Sequence, residues 1–187
     1  DSQSWYNGDR VREFEQTFAA MQDAKYGIAT TGGTVALEVI VRASGIGVGD
    51  EIITSPYTFI GTCTAILKTG TAIRFVDVDP ETNNLDINQI EDAVTSHTRA
   101  IMPVHFGGMA CDIDRLNQIC ERHNLVMLED SCHGWGAKYK GKGLGAWGKA
   151  GAFSFQQSKN MTCGDGGIAL TNDEAVADAI GCAINQG

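Results

Sequence analysis

The chain has 187 residues, of which 43% are hydrophobic, and its formal net charge is −9. This length suits one well-packed domain, and the negative charge argues against nucleic acid or an anionic membrane as a partner, since both are polyanions. No apolar run approaches the length of a membrane span, and the six cysteines form no CxxC pair, a pattern that fits reduced thiols in a cytoplasmic protein.

Apolar periodicity along the first half of the chain predicts alternating helices and strands. Helical spacing of apolar residues predicts a first helix over 9–24, followed by a strand at 26–30. The turn "TTGGT" then opens a helix over 34–43. "EIITS" is a predicted strand that Pro56 ends, and it precedes a helix over 59–68 and the strand "AIRFVDV".

The second half continues the alternation. Helices are predicted over 87–94 and 113–123, and strands at "AIMPVH", "LVMLED", "GAFSF" and "GIALT". "AKYKGKGLG" predicts a glycine-rich hairpin, and Asn172 or Asp173 is a candidate cap for a last helix. The alternation indicates an α/β fold with a mostly parallel sheet and helices on both faces. In such folds, ligands bind at the carboxyl ends of the strands.

Residues at one of these strand ends are typical of a phosphate-binding site. In "TTGGTVAL", Gly33 allows close approach of the backbone at a predicted helix start, where free amides favour an anion, and the Thr34 hydroxyl can add a hydrogen bond. Ser154, at the end of "GAFSF", is a candidate for the same phosphate. The alternative is an ordinary strand–helix turn capped by Thr31 or Thr34, with Ser154 bonded to backbone.

Groups suited to a planar heterocycle follow two other strands. Asp130 ends "LVMLED" and is placed to pair with a protonated ring nitrogen, while His133 could bond a ring substituent. Phe59 or Tyr57 in "SPYTFIGT" could stack on a ring. The alternatives are a helix N-cap or a satisfied turn carboxylate for Asp130, a structural role for His133, and a core position for the aromatics. We interpret Cys132 and His133 as turn residues and predict no metal site.

Lys159 lies between an apolar strand and a glycine-rich return, in "FSFQQSKNMTCGDGGIALTND". An amine held in apolar surroundings can become neutral and nucleophilic, the state required to form a Schiff base with a carbonyl. The alternative is a solvated loop lysine. His105, at the end of "AIMPVH", is a candidate acid–base residue or, as we favour, a structural histidine.

The motifs "GTVAL", "SPYTFIGT", "PVHFGG", "LEDSCHGWGA" and the Lys159 segment, in this order, resemble the DegT/DnrJ/EryC1/StrS aminotransferases. The likeness begins near Trp5 and extends to the C-terminus. It implies the aspartate aminotransferase fold and pyridoxal phosphate as cofactor. Relatives in this family are longer, so we expect residues 1–187 to be the cofactor-binding large domain of a fragment without the C-terminal small domain.

Residue by residue, the resemblance implies that Lys159 forms the internal aldimine and then moves the proton between the substrate Cα and the cofactor C4′. Asp130 would hold the pyridinium proton, and His133, where many relatives have glutamine, would face the ring hydroxyl. Phe59 would stack on the ring. The phosphate would bind three residues, namely Gly33, Thr34 and Ser154. Dehydratases of the family have histidine in place of the lysine, so Lys159 favours transamination.

The resemblance therefore implies an aminotransferase that moves an amino group from glutamate or glutamine to a keto-sugar or cyclic ketone. The Lys159 loop is most similar to the branch acting on cyclitol ketones and aminohydroxybenzoate precursors, and a homodimer with shared sites is implied. Three alternatives stay open: another pyridoxal-phosphate enzyme such as a lyase or desulfurase, a non-catalytic regulatory domain that binds the cofactor, and an inert fragment.

Overall fold

A computed structural model describes residues 8–184, and Trp5 and the last three residues of the chain lie outside this range. The helices are α1 (Asp9–Met21), α2 (Gly33–Ala43), α3 (Ile60–Lys68), α4 (Ile90–Ala93), α5 (Ile113–His123) and α6 (Glu174–Ile184). The strands are β1 (Tyr26–Thr30), β2 (Glu51–Thr54), β3 (Ala72–Phe75), β4 (Thr98–Met102), β5 (Val126–Asp130), β6 (Lys138–Tyr139), β7 (Lys142–Gly143), β8 (Ala150–Ser154) and β9 (Gly167–Thr171). Within the described range, no helix is long and apolar enough to cross a membrane.

Seven strands form one sheet in the order β1-β9-β8-β5-β4-β2-β3, and β6 and β7 form a separate hairpin. The pairings β2–β3, β2–β4, β4–β5 and β5–β8 are parallel. Strand β9 runs antiparallel to both of its neighbours, β1 and β8, so β1 points in the same direction as β8. The prediction of an α/β fold with a mostly parallel sheet is confirmed.

Helices cover both faces of this sheet, as predicted. Successive strand residues point to opposite faces, so Ile52 packs with α2, α3 and α6, while Ile53 packs with α5. Helix α1 lies on the same face as α5, where Phe18 packs edge-on against Phe153 with ring centroids 5.1 Å apart. The central strands are therefore buried on both sides, which leaves the strand ends as the place for a ligand.

Several element boundaries differ from the predicted ones. Helix α1 ends at Met21 and not at Ala24, because Asp23 adopts a left-handed backbone with φ of 60°. Its predicted apolar stripe is only partly covered: Phe18 is buried, whereas Val11 and Phe14 are 37% and 36% exposed. The strand predicted as "AIMPVH" ends earlier, at Met102, because Pro103 has no N–H to donate.

The caps of the last two long helices are asparagine and aspartate residues. Asp112 accepts a hydrogen bond from the Arg115 N–H at the start of α5, and Asn124 ends that helix in the left-handed conformation. At α6, Asp173 accepts from Ala175 and is the cap. Asn172, the other candidate, instead donates to the Ala146 carbonyl.

Glu129 is a fully buried carboxylate that organises the loop before β8. One of its oxygens accepts hydrogen bonds from the Trp147 and Gly148 N–H groups at 2.7 Å, and the other accepts from Gly145 at 2.8 Å and from His105 Nε2 at 3.0 Å. The other ring nitrogen of His105 accepts from the Cys111 N–H, so Nε2 carries the proton. His105 is thus structural, as favoured from the sequence.

Burial opposes the ionisation of Glu129, but the hydrogen bonds from His105 and from the backbone of Gly148 and Gly145 outweigh it and lower the pKa of this carboxyl below its ordinary value. A carboxyl with a depressed pKa in the folded state stabilises that state above the unfolded pKa of 4.5. The stability is lost as the pH falls through the folded pKa.

We expect Glu129→Gln to lower the free energy of unfolding by roughly 3–5 kcal/mol, because either orientation of the amide points its NH₂ group at two buried donors. Urea denaturation followed by circular dichroism measures this change. Glu81→Gln, at an exposed position, is the control and should change the stability by less than about 0.5 kcal/mol. Equal stability of the two variants would show that Glu129 does not organise the loop.

Candidate active site

One cavity of about 550 Å³ opens at the sheet edge where β1, β2, β5 and β8 end. Its volume lies in the range of ligand-binding clefts. The seven residues that the resemblance assigns to the cofactor all line it, and they are Gly33, Thr34, Phe59, Asp130, His133, Ser154 and Lys159. Tyr57 does not line the cavity and instead stacks on Phe106, with ring centroids 4.5 Å apart.

The start of α2 forms one wall. Gly32 is the N-cap residue and no side chain caps the helix, so the alternative of a Thr31 or Thr34 cap is wrong. The first hydrogen bond within the helix runs from the Ala36 N–H to the Gly32 carbonyl. The N–H groups before Ala36 therefore have no partner inside the helix, and they lie at the positive end of its dipole.

Close packing between α2 and β8 forms this wall. A Cβ built on Gly33 would lie 2.6 Å from the Ser154 Cβ and 3.2 Å from the Cys132 sulfur, which only glycine avoids. Gly61 is also required for close packing, because a Cβ there would lie 2.7 Å from the Thr34 hydroxyl. These contacts bring two hydroxyls to the open amides, which is a suitable arrangement for a phosphate.

Asp130 is a buried carboxylate, 4% exposed, at the end of β5. Its Oδ2 accepts from the Thr62 hydroxyl at 2.6 Å, and its Oδ1 accepts from the Cys132 N–H at 3.2 Å. A carboxylate has about four acceptor positions, so Asp130 keeps capacity for a further donor from the cavity. It is not a helix cap, the alternative considered from the sequence, because a 3₁₀ or α-helix does not begin within the following turn.

His133 is half-buried and neutral at pH 7. Burial lowers its pKa below the ordinary value of 6.5, and the positive charge of Lys159 lowers it further, against the opposing effect of Asp130. Its Nδ1 accepts from the Gly107 N–H at 3.3 Å. The proton of the neutral ring is therefore on Nε2, which remains a hydrogen-bond donor.

Phe59 and Lys159 provide an aromatic face and an amine. Phe59 is the N-cap residue of α3 and is 72% exposed, so its ring is not a core aromatic. Lys159 is half-buried, and its Nζ lies 5.9 Å from the centroid of the Trp135 ring, within cation–π range. The indole N–H of Trp135 donates to the Ser154 carbonyl. Lys159 is accordingly not a solvated loop lysine.

Three residues that line the cavity, Gly61, Thr62 and Cys132, were not assigned to the site from the sequence, nor was Trp135, which lies beside Lys159. Thr62 contacts Asp130 across 68 positions of the chain, so no local pattern identifies it. Burial raises the pKa of the Cys132 thiol well above its ordinary value, which leaves a neutral side chain. Thr58 and Thr62 are four positions apart in the sequence, but this spacing alone does not indicate a contact with Asp130.

These groups fit pyridoxal phosphate. Open amides and hydroxyls match the phosphate, a buried carboxylate matches a protonated ring nitrogen, and a neutral histidine N–H matches a ring oxygen. An exposed aromatic matches the ring face, and an amine matches the aldehyde. Glycine at position 33 also suits a phosphate at this place. Any larger residue there would fill the space between the amides at the start of α2 and the Ser154 side chain.

Comparison with known proteins gives a family for the sequence. The family model described as the DegT/DnrJ/EryC1/StrS aminotransferase family matches residues 1–187. The spore coat polysaccharide biosynthesis protein SpsC of Bacillus subtilis (strain 168) is 44% identical over 92% of this chain, and a GDP-perosamine synthase of Caulobacter vibrioides is 40% identical over 96%. The chain spans only 44% and 48% of the lengths of these two relatives.

Several solved structures of aminotransferases and related proteins are also similar to this chain. An aminotransferase from Psychrobacter cryohalolentis superposes with a TM-score of 0.93 at 39% identity, covering 96% of this chain and 46% of that one. For 3-amino-5-hydroxybenzoic acid synthase the TM-score is 0.91 at 38% identity, with 94% and 46% covered. NtdA from Bacillus subtilis, with bound cofactor PMP, gives 0.87 at 33% identity, with 92% and 39% covered.

We expect Gly33→Ala to destabilise the chain by roughly 1–3 kcal/mol, because its Cβ must displace Ser154 or the start of α2. Gly181→Ala is a matched control in α6, where an added Cβ meets nothing within 4 Å. That variant should gain up to about 1 kcal/mol from helix propensity. Thermal unfolding measures both, and a Gly33→Ala variant as stable as the parent would refute the close packing at this wall.

Proposed function

This chain belongs to the DegT/DnrJ/EryC1/StrS aminotransferase family, and on that premise we propose that it is the pyridoxal-phosphate-binding large domain of an aminotransferase. The proposed reaction moves an amino group from glutamate or glutamine to a keto-sugar or cyclic ketone. The observation that carries this proposal is the single cavity lined by an amine, a buried carboxylate, a neutral histidine and an uncapped helix start. Each of these groups meets a different part of the cofactor.

The phosphate is bound by the start of α2 together with Ser154. The open amides of Gly33 and Thr34 and the helix dipole favour an anion, and the Thr34 hydroxyl is a further donor. Ser154 Oγ accepts from the Gln156 N–H at 3.4 Å, which leaves its own proton for a phosphate oxygen. This binding relies on backbone dipoles and hydroxyls, so the net charge of −9 does not prevent it.

The ring is held from three sides. The Asp130 carboxylate would pair with the protonated ring nitrogen, the His133 Nε2–H would donate to the ring oxygen, and Phe59 would stack on one face. A neutral histidine suits this position because it donates without adding a positive charge beside the ring. The low exposure of Asp130 strengthens its interaction with the nitrogen, since few waters compete there.

When bound, the cofactor supplies an aldehyde that exchanges amines and a protonated ring that withdraws electrons. Lys159 is the residue that would hold the aldehyde, and its amine would act as the general acid–base that moves a proton at the substrate Cα. Asp130 keeps the ring nitrogen protonated during this transfer.

The substrate class rests on the relatives. A GDP-perosamine synthase makes an amino sugar, and 3-amino-5-hydroxybenzoic acid synthase makes an amine on a six-membered carbocycle. We therefore propose a cyclic ketone as the acceptor, either a keto-sugar or a cyclitol-type ketone. NtdA, a structural neighbour with bound cofactor PMP, supports the same class of cofactor for this cavity.

We further propose a homodimer in the cytoplasm. Two exposed apolar side chains at and before the start of α3, Tyr57 and Ile60, support an interface beside the cavity. All six cysteines are free thiols, which supports a reducing compartment.

Lys159→Ala is expected to abolish the visible absorbance band that forms when pyridoxal phosphate binds covalently. Among the residues that line the cavity, Lys159 is the one with a side-chain amine. Lys25→Ala, at an exposed lysine of no proposed role, is the control and should keep the band. Absorbance spectra after addition of the cofactor, with borohydride reduction and mass spectrometry of the modified peptide, measure both.

A Lys159→Ala variant with an undiminished band, or a reduced adduct on another lysine, would refute the proposal. A parent chain that forms no band with the cofactor would favour the inert-fragment alternative instead.

A further inference from the structure

Beneath Asp130 lies a chain of two threonine hydroxyls. Thr62 is 1% exposed, and its Oγ1 lies 2.6 Å from Asp130 Oδ2. Thr58 Oγ1 lies 2.7 Å from Thr62 Oγ1 on the other side. Both threonines line the cavity; Thr62 is in the first turn of α3, and Thr58 immediately precedes the N-cap residue of that helix.

The direction of these hydrogen bonds follows from chemistry. A separation of 2.6 Å is typical of a hydroxyl donating to an ionised carboxylate, and an ionised carboxylate can only accept. The single proton of Thr62 is therefore directed to Asp130. The Thr58–Thr62 contact then has one possible donor, the Thr58 hydroxyl. The order of donation is Thr58 to Thr62 to Asp130.

This chain fixes the orientation of the carboxylate. Thr62 holds Oδ2 from α3, while the Cys132 N–H holds Oδ1 from the turn after β5. With both oxygens engaged, rotation of the carboxylate is restricted, and its free acceptor positions keep one direction. Hydroxyls in series also polarise one another, which strengthens the bond to Asp130.

The same hydrogen bond links two elements whose residues are proposed to hold the ring. Phe59 is the N-cap of α3, and Thr62 is three residues later. Asp130 ends β5, which is separated from β2 in the sheet by β4. The Thr62–Asp130 bond therefore sets the position of the carboxylate relative to the Phe59 ring.

We propose that Thr62 is a positioning residue for recognition of a protonated ring nitrogen, and that its hydroxyl, supported by Thr58, orients the Asp130 carboxylate toward that nitrogen. This inference rests on the proposed function, because the nitrogen is that of pyridoxal phosphate. Thr62 acts through Asp130 and not by contact with the reacting atoms.

The test compares two ring ligands that differ only at the nitrogen: pyridoxal phosphate and its 1-deaza analogue, in which a C–H replaces the nitrogen. Affinities of the full chain are measured by calorimetry, so the readout does not depend on turnover. Thr62→Val removes the hydroxyl at nearly constant shape, and Thr62→Ser retains it. Thr64→Val is the matched control, since Thr64 is on the same helix but donates to the Gly61 carbonyl and does not line the cavity.

Thr62→Val is expected to weaken the binding of pyridoxal phosphate roughly tenfold or more, the effect of losing a hydrogen bond to a charged group. Binding of the deaza analogue should change less than about twofold. Thr62→Ser should restore most of the affinity, and Thr64→Val should leave both ligands unaffected. Thr58→Val should give a smaller loss that is again confined to pyridoxal phosphate, and it decides the question if Thr62→Val does not fold.

Equal losses for the two ligands would assign Thr62 a purely structural role and overturn the inference, as would no loss for either. Both results leave the proposed function intact, because the parent chain still binds the cofactor through Lys159. A parent chain that binds neither ligand would overturn the proposed function and this inference together.

Discussion

Four strands that point in one direction are the constraint on which the candidate active site depends. Strands β1, β2, β5 and β8 end at the same sheet edge, and each is followed by one part of the site. A strand of five residues is about 17 Å long. Reversing any one of these strands would move its group by about the length of the strand, to the opposite edge of the sheet. The direction and order of the strands therefore bring the side chains of the site together.

The supporting contacts keep this edge in register. In β5, neighbouring carboxylates have separate tasks because successive side chains point to opposite faces: Glu129 binds the loop before β8, and Asp130 lines the cavity. The Gly33–Ser154 contact joins the start of α2 to the end of β8. The two carboxylates and the start of α2 are therefore placed by buried hydrogen bonds and close packing.

The sequence was sufficient to predict the fold class and the seven cavity residues, because both depend on local patterns. Apolar periodicity identifies strands that alternate with helices, and the glycines and polar residues that follow strands mark the edge where ligands bind. The resemblance to a family then gave each residue a proposed role. Those roles remain proposals, although the residues do lie around one cavity.

What could not be predicted depends on contacts between distant segments. Thr62 gains its importance only from Asp130, and Glu129 only from the loop at Gly145–Gly148 and from His105. The predicted end of α1 was wrong for a similar reason, since the left-handed backbone at Asp23 has no strong sequence signal.

The central claim is that this cavity transfers amines. The most direct measurement is to saturate the chain with pyridoxal phosphate and then add glutamate or glutamine while recording the visible spectrum and the 2-oxo acid released. The account predicts that one of these donors removes the band and releases one 2-oxo acid for each cofactor converted, whereas a band that persists with both donors, or that disappears with release of sulfide, would contradict it.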